Sequence, residues 1–312
     1  MSAHPFRDGI LGLAIGDALG APAEFGGRWM RDMDPIREMR SGGVFDVPAG
    51  GWTDDTAMTL AVLDSLHTGF DPADQMRRFI AWLRHGEYSI FSHSIGVGQQ
   101  ILCAIEHFEA HGDLSSCGGN SEADNGNGSL MRILPVCLYA CAVQPLGDTS
   151  AIEMVHRASS LTHRHPRSLV ACGLYYFMVQ SLLQSDGTLT DRLQSGLDRG
   201  FAFYQDLYPA ELVHYAPLRN LSALKRLSRD EIRSTGYVVD TLIAAVWCLI
   251  TETSFSESLL RAVNLGLDTD TIAAIAGGLA GLHYGLSAVP TPWLNALQRR
   301  DFIESLCAFF DP

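Results

Sequence analysis

The sequence is short of positive charge. It carries 22 basic residues against 35 acidic ones, a formal net charge of −13 over 312 residues. A surface of that sign repels nucleic-acid phosphates and anionic membranes, so neither is an expected partner. A phosphate-bearing ligand would need local help, from divalent cations or from backbone N–H groups. Paired cysteine motifs are also missing. The seven cysteines, at 103, 117, 137, 141, 172, 248 and 307, include no C-x-x-C pair and mostly sit in apolar runs. They read as reduced core residues of a cytoplasmic protein. Residues 9–25 imitate a secretory signal, but Asp17 interrupts them and no basic stretch precedes them. The small-residue run at 272–284 is too short to cross a bilayer, so no membrane segment is expected. Low-complexity tracts, internal repeats and linker-like segments are lacking as well, which leaves one domain over residues 1–312.

What the sequence does have is apolar content and helical spacing. Hydrophobic residues make up 47% and charged residues 18%, which suits a sizeable core. Residues 54–68 are apolar almost all round, as in a deeply buried helix. In 236–251 the apolar positions recur at intervals of three and four. Residues 271–285 are rich in alanine and glycine, with Gly277, Gly278 and Gly281. Each glycine costs a helix about 1 kcal/mol relative to alanine, so their accumulation implies another backbone packed very close. Only 44–47 alternates like a strand, and proline and two glycines follow it; it reads as a loop or a stray strand. The fold class is all-α.

Two acidic segments stand out, Thr53-Asp54-Asp55 and Asp268-Thr269-Asp270-Thr271. Each precedes an apolar helical run, so an N-cap and a favourable helix dipole would explain either one alone. The second stacks more carboxylates and hydroxyls than a cap needs. Asp268 and Asp270 can converge only if one lies in the loop before the first turn. If the two segments meet, four carboxylates share one pocket and raise each other's pKa unless divalent cations bind. All-oxygen donors favour Mg²⁺ or Mn²⁺ over Zn²⁺, and two ions suit the donor count better than one. Glu24 closes the small-residue segment 16–25; alone it would be a surface glutamate.

The polar turn Asp124-Asn125-Gly126-Asn127-Gly128-Ser129 precedes an apolar segment. Its backbone N–H groups could cradle a phosphate, although an ordinary turn explains the glycines equally well. His163 and His165 flank Arg164 ahead of Pro166. Zinc would require cysteine partners or an H-E-x-x-H pattern. A helix end before Pro166 is the simpler account, with ligand contact by His163 an intermediate one.

The set of motifs, in order, says more than any one of them. G-D-A-L-G-x-x-x-E at 16–24, G-G-W-T-D-D-T at 50–56, G-N-G-S-L-M-R at 126–132, T-H at 162–163 and D-T-D-T-I-A-x-x-A-G-x-x-A-G at 268–281 closely resemble the ADP-ribosylglycohydrolase family. The resemblance runs from about residue 9 to 297. It implies a compact orthogonal bundle of helices and a binuclear Mg²⁺ or Mn²⁺ centre. It implies metal ligation by Thr53, Asp54, Asp55, Asp268, Asp270 and Thr271, with Glu24, Asp55 and Asp268 as catalytic carboxylates. Gly126, Asn127, Gly128 and Ser129 would line the diphosphate and distal-ribose site, His163 the adenosine side, and Gly96 and Gly98 the ligand groove. The expected substrate is an ADP-ribosylated protein or a related conjugate, and the expected reaction is hydrolytic release of ADP-ribose. Arginine-directed members carry an aspartate in a D-I-G-type motif where this chain reads Ser94-Ile95-Gly96, which brings the stretch closer to serine-directed members. Asp124 could stand in for that aspartate. The family's paired glycines before the last motif are Gly266-Leu267 here. Two other readings stay open at this point: an ADP-ribose-binding protein without catalysis, and a dinuclear-metal hydrolase for another nucleotide-type substrate.

Overall fold

Glycines at 12, 16 and 20 recur every fourth residue and therefore share one face of a helix. In the computed structural model, which describes residues 4–143 and 145–311, that face meets the glycines of the C-terminal motif. The described residues form fifteen α-helices: α1 (Pro5–Gly20), α2 (Arg28–Met33), α3 (Asp54–Ser65), α4 (Pro72–His85), α5 (Gln99–His111), α6 (Leu134–Leu138), α7 (Asp148–Ser160), α8 (Pro166–Gln184), α9 (Leu189–Leu207), α10 (Leu221–Leu224), α11 (Val238–Thr251), α12 (Phe255–Val263), α13 (Thr269–Tyr284), α14 (Thr291–Ala296) and α15 (Arg300–Cys307). The described residues contain no sheet, only three isolated bridges. The expected all-α class is what is found. The brief alternation at 44–47 is a turn closed by a Gly42–Val47 bridge.

The axis of the molecule is the α1–α13 pair. A Cβ at Gly16 would sit 2.0 Å from the carbonyl oxygen of Ala273, and one at Gly281 would sit 2.0 Å from that of Asp8. Nothing larger than hydrogen fits there, which is why helix-weakening glycines recur in both helices. The loss is offset by burial: every residue of α13 from Thr269 to Leu282 is buried, as is every residue of α1 from Gly9 to Gly20. Each fully buried Leu or Ile contributes about 2 kcal/mol. α3, α8, α11 and α12 pack around this pair, and one apolar cluster runs from Phe6 to Cys307. All seven cysteines are free thiols, and five of them are buried. No helix among the described residues is long and apolar enough to cross a membrane.

The close approach has a positional consequence. A Cβ at Gly20 would lie 2.4 Å from Cα of Asp270. The C-terminal end of α1 therefore lies against the N-terminal end of α13, where the second acidic segment begins.

Candidate metal centre and ligand cleft

Thr53 and Asp268 occupy the N-cap positions of α3 and α13, yet neither side chain caps its own helix. At α3 the work is done by Asp17, reaching over from α1. Its carboxylate accepts hydrogen bonds from the backbone N–H of Thr53 at 3.0 Å and of Thr56 at 2.9 Å. It also accepts from the Thr53 hydroxyl at 3.0 Å and the Thr56 hydroxyl at 2.6 Å. Both acidic segments are thus free to turn toward each other. Thr53 Oγ1 lies 3.2 Å from Asp55 Oδ2 and 3.4 Å from Asp270 Oδ2. Thr271 Oγ1 lies 3.3 Å from both Asp55 Oδ2 and Asp268 Oδ1. Asp268 lies just outside α13 and Asp270 inside it, the arrangement their convergence requires.

Two carboxylate groups result, Asp17 with Asp55 and Asp270, and Glu24 with Asp268 and Asp270; within each, one ligand atom per residue lies within 4.8 Å of the others. Asp270 belongs to both. Such crowding is costly without a counter-charge. Burial, then the neighbouring carboxylates, hold Asp54 and Asp55 well above the usual carboxylate range. The same two causes push Glu24 up to about 11, and Asp17 and Asp270 up to about 7. Burial raises Asp268 to about 6 against the pull of Asn127 and Thr271. Three buried carboxylate oxygens, Glu24 Oε2, Asp55 Oδ1 and Asp270 Oδ1, receive no N–H or hydroxyl from the described residues, and the Glu24 and Asp270 carboxyls contact each other. Buried anionic oxygens left unpaired are strongly unfavourable, and hard divalent cations are the partners that all-oxygen donors suit. The residues present therefore fit a Mg²⁺- or Mn²⁺-type centre.

The carboxylates form one end of a cleft of ≈ 350 Å³ that continues past Gly96, Gly98 and Gln100 to Gly126, Asn127, Gly128 and His163. Gly96 has a left-handed φ of +74°, and a Cβ there would stand 2.2 Å from Asp54 Oδ1. Asn127 Nδ2 donates to Asp268 Oδ2 at 2.5 Å and to Thr241 Oγ1 at 3.0 Å, which ties the glycine-rich turn to the acidic end. At the far end, burial and then the Arg132 charge push His163 down to about 3, so its ring is neutral. Arg132 is itself buried; it donates to Gly128 O and, at 2.8 Å, to Thr162 Oγ1. Thr162 Oγ1 lies 2.8 Å from His163 Nδ1. His163 Nε2 lies beside Gly126 in the cleft wall. A larger, more apolar cavity of ≈ 540 Å³ between α7 and α9 contains none of these carboxylates.

Other residues singled out from the sequence lie elsewhere. Ser129 is fully buried beneath the turn and accepts from Ser159 Oγ at 2.9 Å. Asp124 accepts from Ser121 N–H at 2.8 Å in a capping box and does not line the cleft. His165 caps α8 through Nδ1, which accepts from Arg167 N–H at 3.2 Å. Asp17 and Arg132 belong to the motifs at 16–24 and 126–132, but nothing in the sequence assigns either a role. Phe25, Phe45 and Gln100, which line the cleft, have no distinguishing local pattern.

An all-α fold with a shared-carboxylate site beside a glycine-lined cleft defines a class of hydrolase. The chain belongs to the ADP-ribosylglycohydrolase family, whose model matches residues 3–311. It is 33% identical to ADP-ribosylarginine hydrolase Tri1 of Serratia proteamaculans (strain 568), over 96% of this chain and 77% of that one. It is 32% identical to ADP-ribosyl-[dinitrogen reductase] glycohydrolase of Rhodospirillum rubrum, over 93% and 89%. ADP-ribosylhydrolase ARH3 of Danio rerio is 27% identical, over 96% and 88%. A solved structure described as an ADP-ribosylglycohydrolase-related protein complex superposes with a TM-score of 0.80 at 32% identity, covering 99% of this chain and 97% of that one.

Proposed function

We propose that this chain, acting as one domain over residues 1–312, hydrolyses the bond between ADP-ribose and a modified protein side chain. In this reading Thr53, Asp54, Asp55, Asp268, Asp270 and Thr271 hold two divalent cations, Mg²⁺ or Mn²⁺, with Glu24 beside them. The single observation that carries it is the crowding of Glu24, Asp268 and Asp270 on the cleft, with Asp55 buried behind them and Asp270 shared between two carboxylate groups. When bound, the cations would neutralise those oxygens and polarise and fix the ribose. The chain's own residues do the rest. Gly126, Gly128 and the Asn127 side chain offer a narrow polar wall for the diphosphate, and His163 presents its imidazole toward the nucleoside side. Glu24 lines the cleft beside Asp268 and Asp270, where its carboxyl can exchange a proton with the attacking water or the leaving side chain. The bond at the anomeric carbon breaks, water supplies its hydroxyl to that carbon, and a proton goes to the departing side chain. Seven free thiols, five of them buried, support a cytoplasmic setting.

Arginine is the linkage proposed first, because two relatives at 33% identity are named ADP-ribosylarginine hydrolase. A serine linkage is favoured by one observation. Ser94 donates its hydroxyl to Leu83 O at 3.2 Å, and no acidic side chain of 91–98 lines the cleft.

The test offers ADP-ribosylated arginine and serine peptides with Mg²⁺ or Mn²⁺ and measures free ADP-ribose. Asp270→Asn is expected to lower release by about 100-fold or more, and chelation to abolish it. Binding without release would indicate a non-catalytic module. Phosphate release from nucleotides with intact peptides would indicate a different hydrolase.

A further inference from the structure

Ten large hydrophobic side chains stand exposed among the described residues, and six of them gather in one region: Phe25, Trp29, Met30, Met33, Val44 and Leu267. The backbone and one ring contact bring their segments together. Phe25 N–H donates to Leu267 O at 2.8 Å, and Leu267 N–H donates to Gly26 O at 2.7 Å. α2 follows immediately, and Trp29 and Met33, four apart, share one of its faces. The turn bearing Val44 also bears Phe45, whose ring centroid is 6.4 Å from that of Phe25. Met33 is 79% exposed and Trp29 64%, far above what an isolated surface residue needs. The face is also held in place. Arg28 donates to the carbonyl oxygens of Leu265 at 3.0 Å, Arg229 at 2.7 Å and Ile232 at 2.7 Å, which fixes α2 to the body of the molecule.

The position of this surface indicates its occupant. Phe25 follows Glu24 in sequence, and Phe25 and Phe45 line the cleft together with Glu24, Asp268 and Asp270. The apolar surface therefore borders the carboxylate end of the cleft, opposite His163. If the proposed function holds, the bond is cut at that end and the nucleotide extends away from it. The polypeptide bearing the modified side chain must then emerge beside Phe25 and Phe45. We infer that Trp29, Met30, Met33, Val44 and Leu267 form the docking surface for the ADP-ribosylated protein, and that this partner presents an exposed apolar segment next to its modified residue. This inference rests on the proposed function. Methionines suit such a role, because their flexible side chains repack against different partners.

The experiment compares the wild type with Trp29→Asp and Met33→Asp, two exposed positions outside the cleft. Each is assayed on an ADP-ribosylated folded protein and on the free ADP-ribosylated amino acid of the same linkage. Docking at this surface predicts a loss of about ten-fold or more in kcat/KM on the protein, seen mainly in KM, with the amino-acid conjugate changed less than about two-fold. Equal losses on both substrates, or none on either, overturn the inference. So does a wild type that is dimeric in solution with monomeric variants, because a second copy would then cover the surface. If the wild type releases nothing even from the amino-acid conjugate, the proposed function falls as well. Normal release from the conjugate with unchanged protein turnover removes only the docking surface.

Discussion

Asp17 holds the N-terminus of α3 with its carboxylate while standing beside Asp55 and Asp270. It is a structural cap and part of the acidic cluster at once. Asp17→Asn keeps the shape but converts one acceptor oxygen into a donor facing N–H and O–H groups. The expected cost is about 2 kcal/mol in urea unfolding of the cation-free protein, and an unchanged midpoint would refute the capping role. Leu267 shows the opposite case, a residue that works against its backbone. Its φ is +66°, next to Gly266 at +82°. A left-handed leucine costs about 1 kcal/mol, so Leu267→Gly is expected to raise stability by up to about 1 kcal/mol, measured by denaturant unfolding. The sequence showed that a glycine was replaced here, but not that the backbone keeps the glycine-like shape. At the far end of the cleft, Thr162→Val removes the hydrogen bond between Thr162 Oγ1 and His163 Nδ1 and frees the imidazole to turn. Calorimetry with ADP-ribose should then show about ten-fold weaker binding, and equal affinity would rule out the Arg132–Thr162–His163 arrangement.

At the scale of elements, the helices were legible where burial is complete. The apolar run at 54–68 is α3 and its 3₁₀ extension, and the glycine-rich run at 271–285 is α13 with its start two residues earlier. The close backbone partner that the glycines demanded exists, and it is α1. Which helix it would be was not legible, because a glycine shows that space is scarce and not what fills it. The acidic junctions were read as possible caps, and each does sit at a helix start. Their meeting followed from α1 packing on α13 and reaching α3 through Asp17, a contact between distant segments that local spacing cannot encode. The apolar surface around α2 was not legible either, since six residues with mixed polarity give no period. Gly16→Ala tests the axis directly. Its Cβ would meet the Ala273 carbonyl oxygen, backbone against backbone, with no side chain free to move aside. The expected destabilisation is about 3 kcal/mol, with a smaller cation-induced rise in Tm because Asp17 and Asp270 are pushed apart.

Over the whole molecule, the buried carboxylates couple stability to pH and to cations. Without cations, Asp268 binds a proton up to about pH 6 and Asp17 and Asp270 up to about pH 7, whereas unfolded carboxylates release theirs near pH 4. Between those limits the folded chain holds more protons than the unfolded one. Stability should therefore be greatest at or below about pH 4 as far as these groups are concerned, and should fall as pH rises to about 7. If the proposed centre forms, a divalent cation on the ionised carboxylates removes or reverses that fall. Tm measured from pH 5 to 8 in chelator and in excess cation checks this, and parallel curves would contradict it. The α1–α13 axis also bears on synthesis. Thr269 donates its hydroxyl to Gly20 O across 249 positions of sequence, so α1 leaves the ribosome long before the helix that completes the acidic site. Until then its glycine face is uncovered and Asp17 lacks Asp270. A nascent or truncated chain would therefore have no complete acidic site, and hydrolysis would begin only once the last third of the polypeptide has folded back onto the first helix.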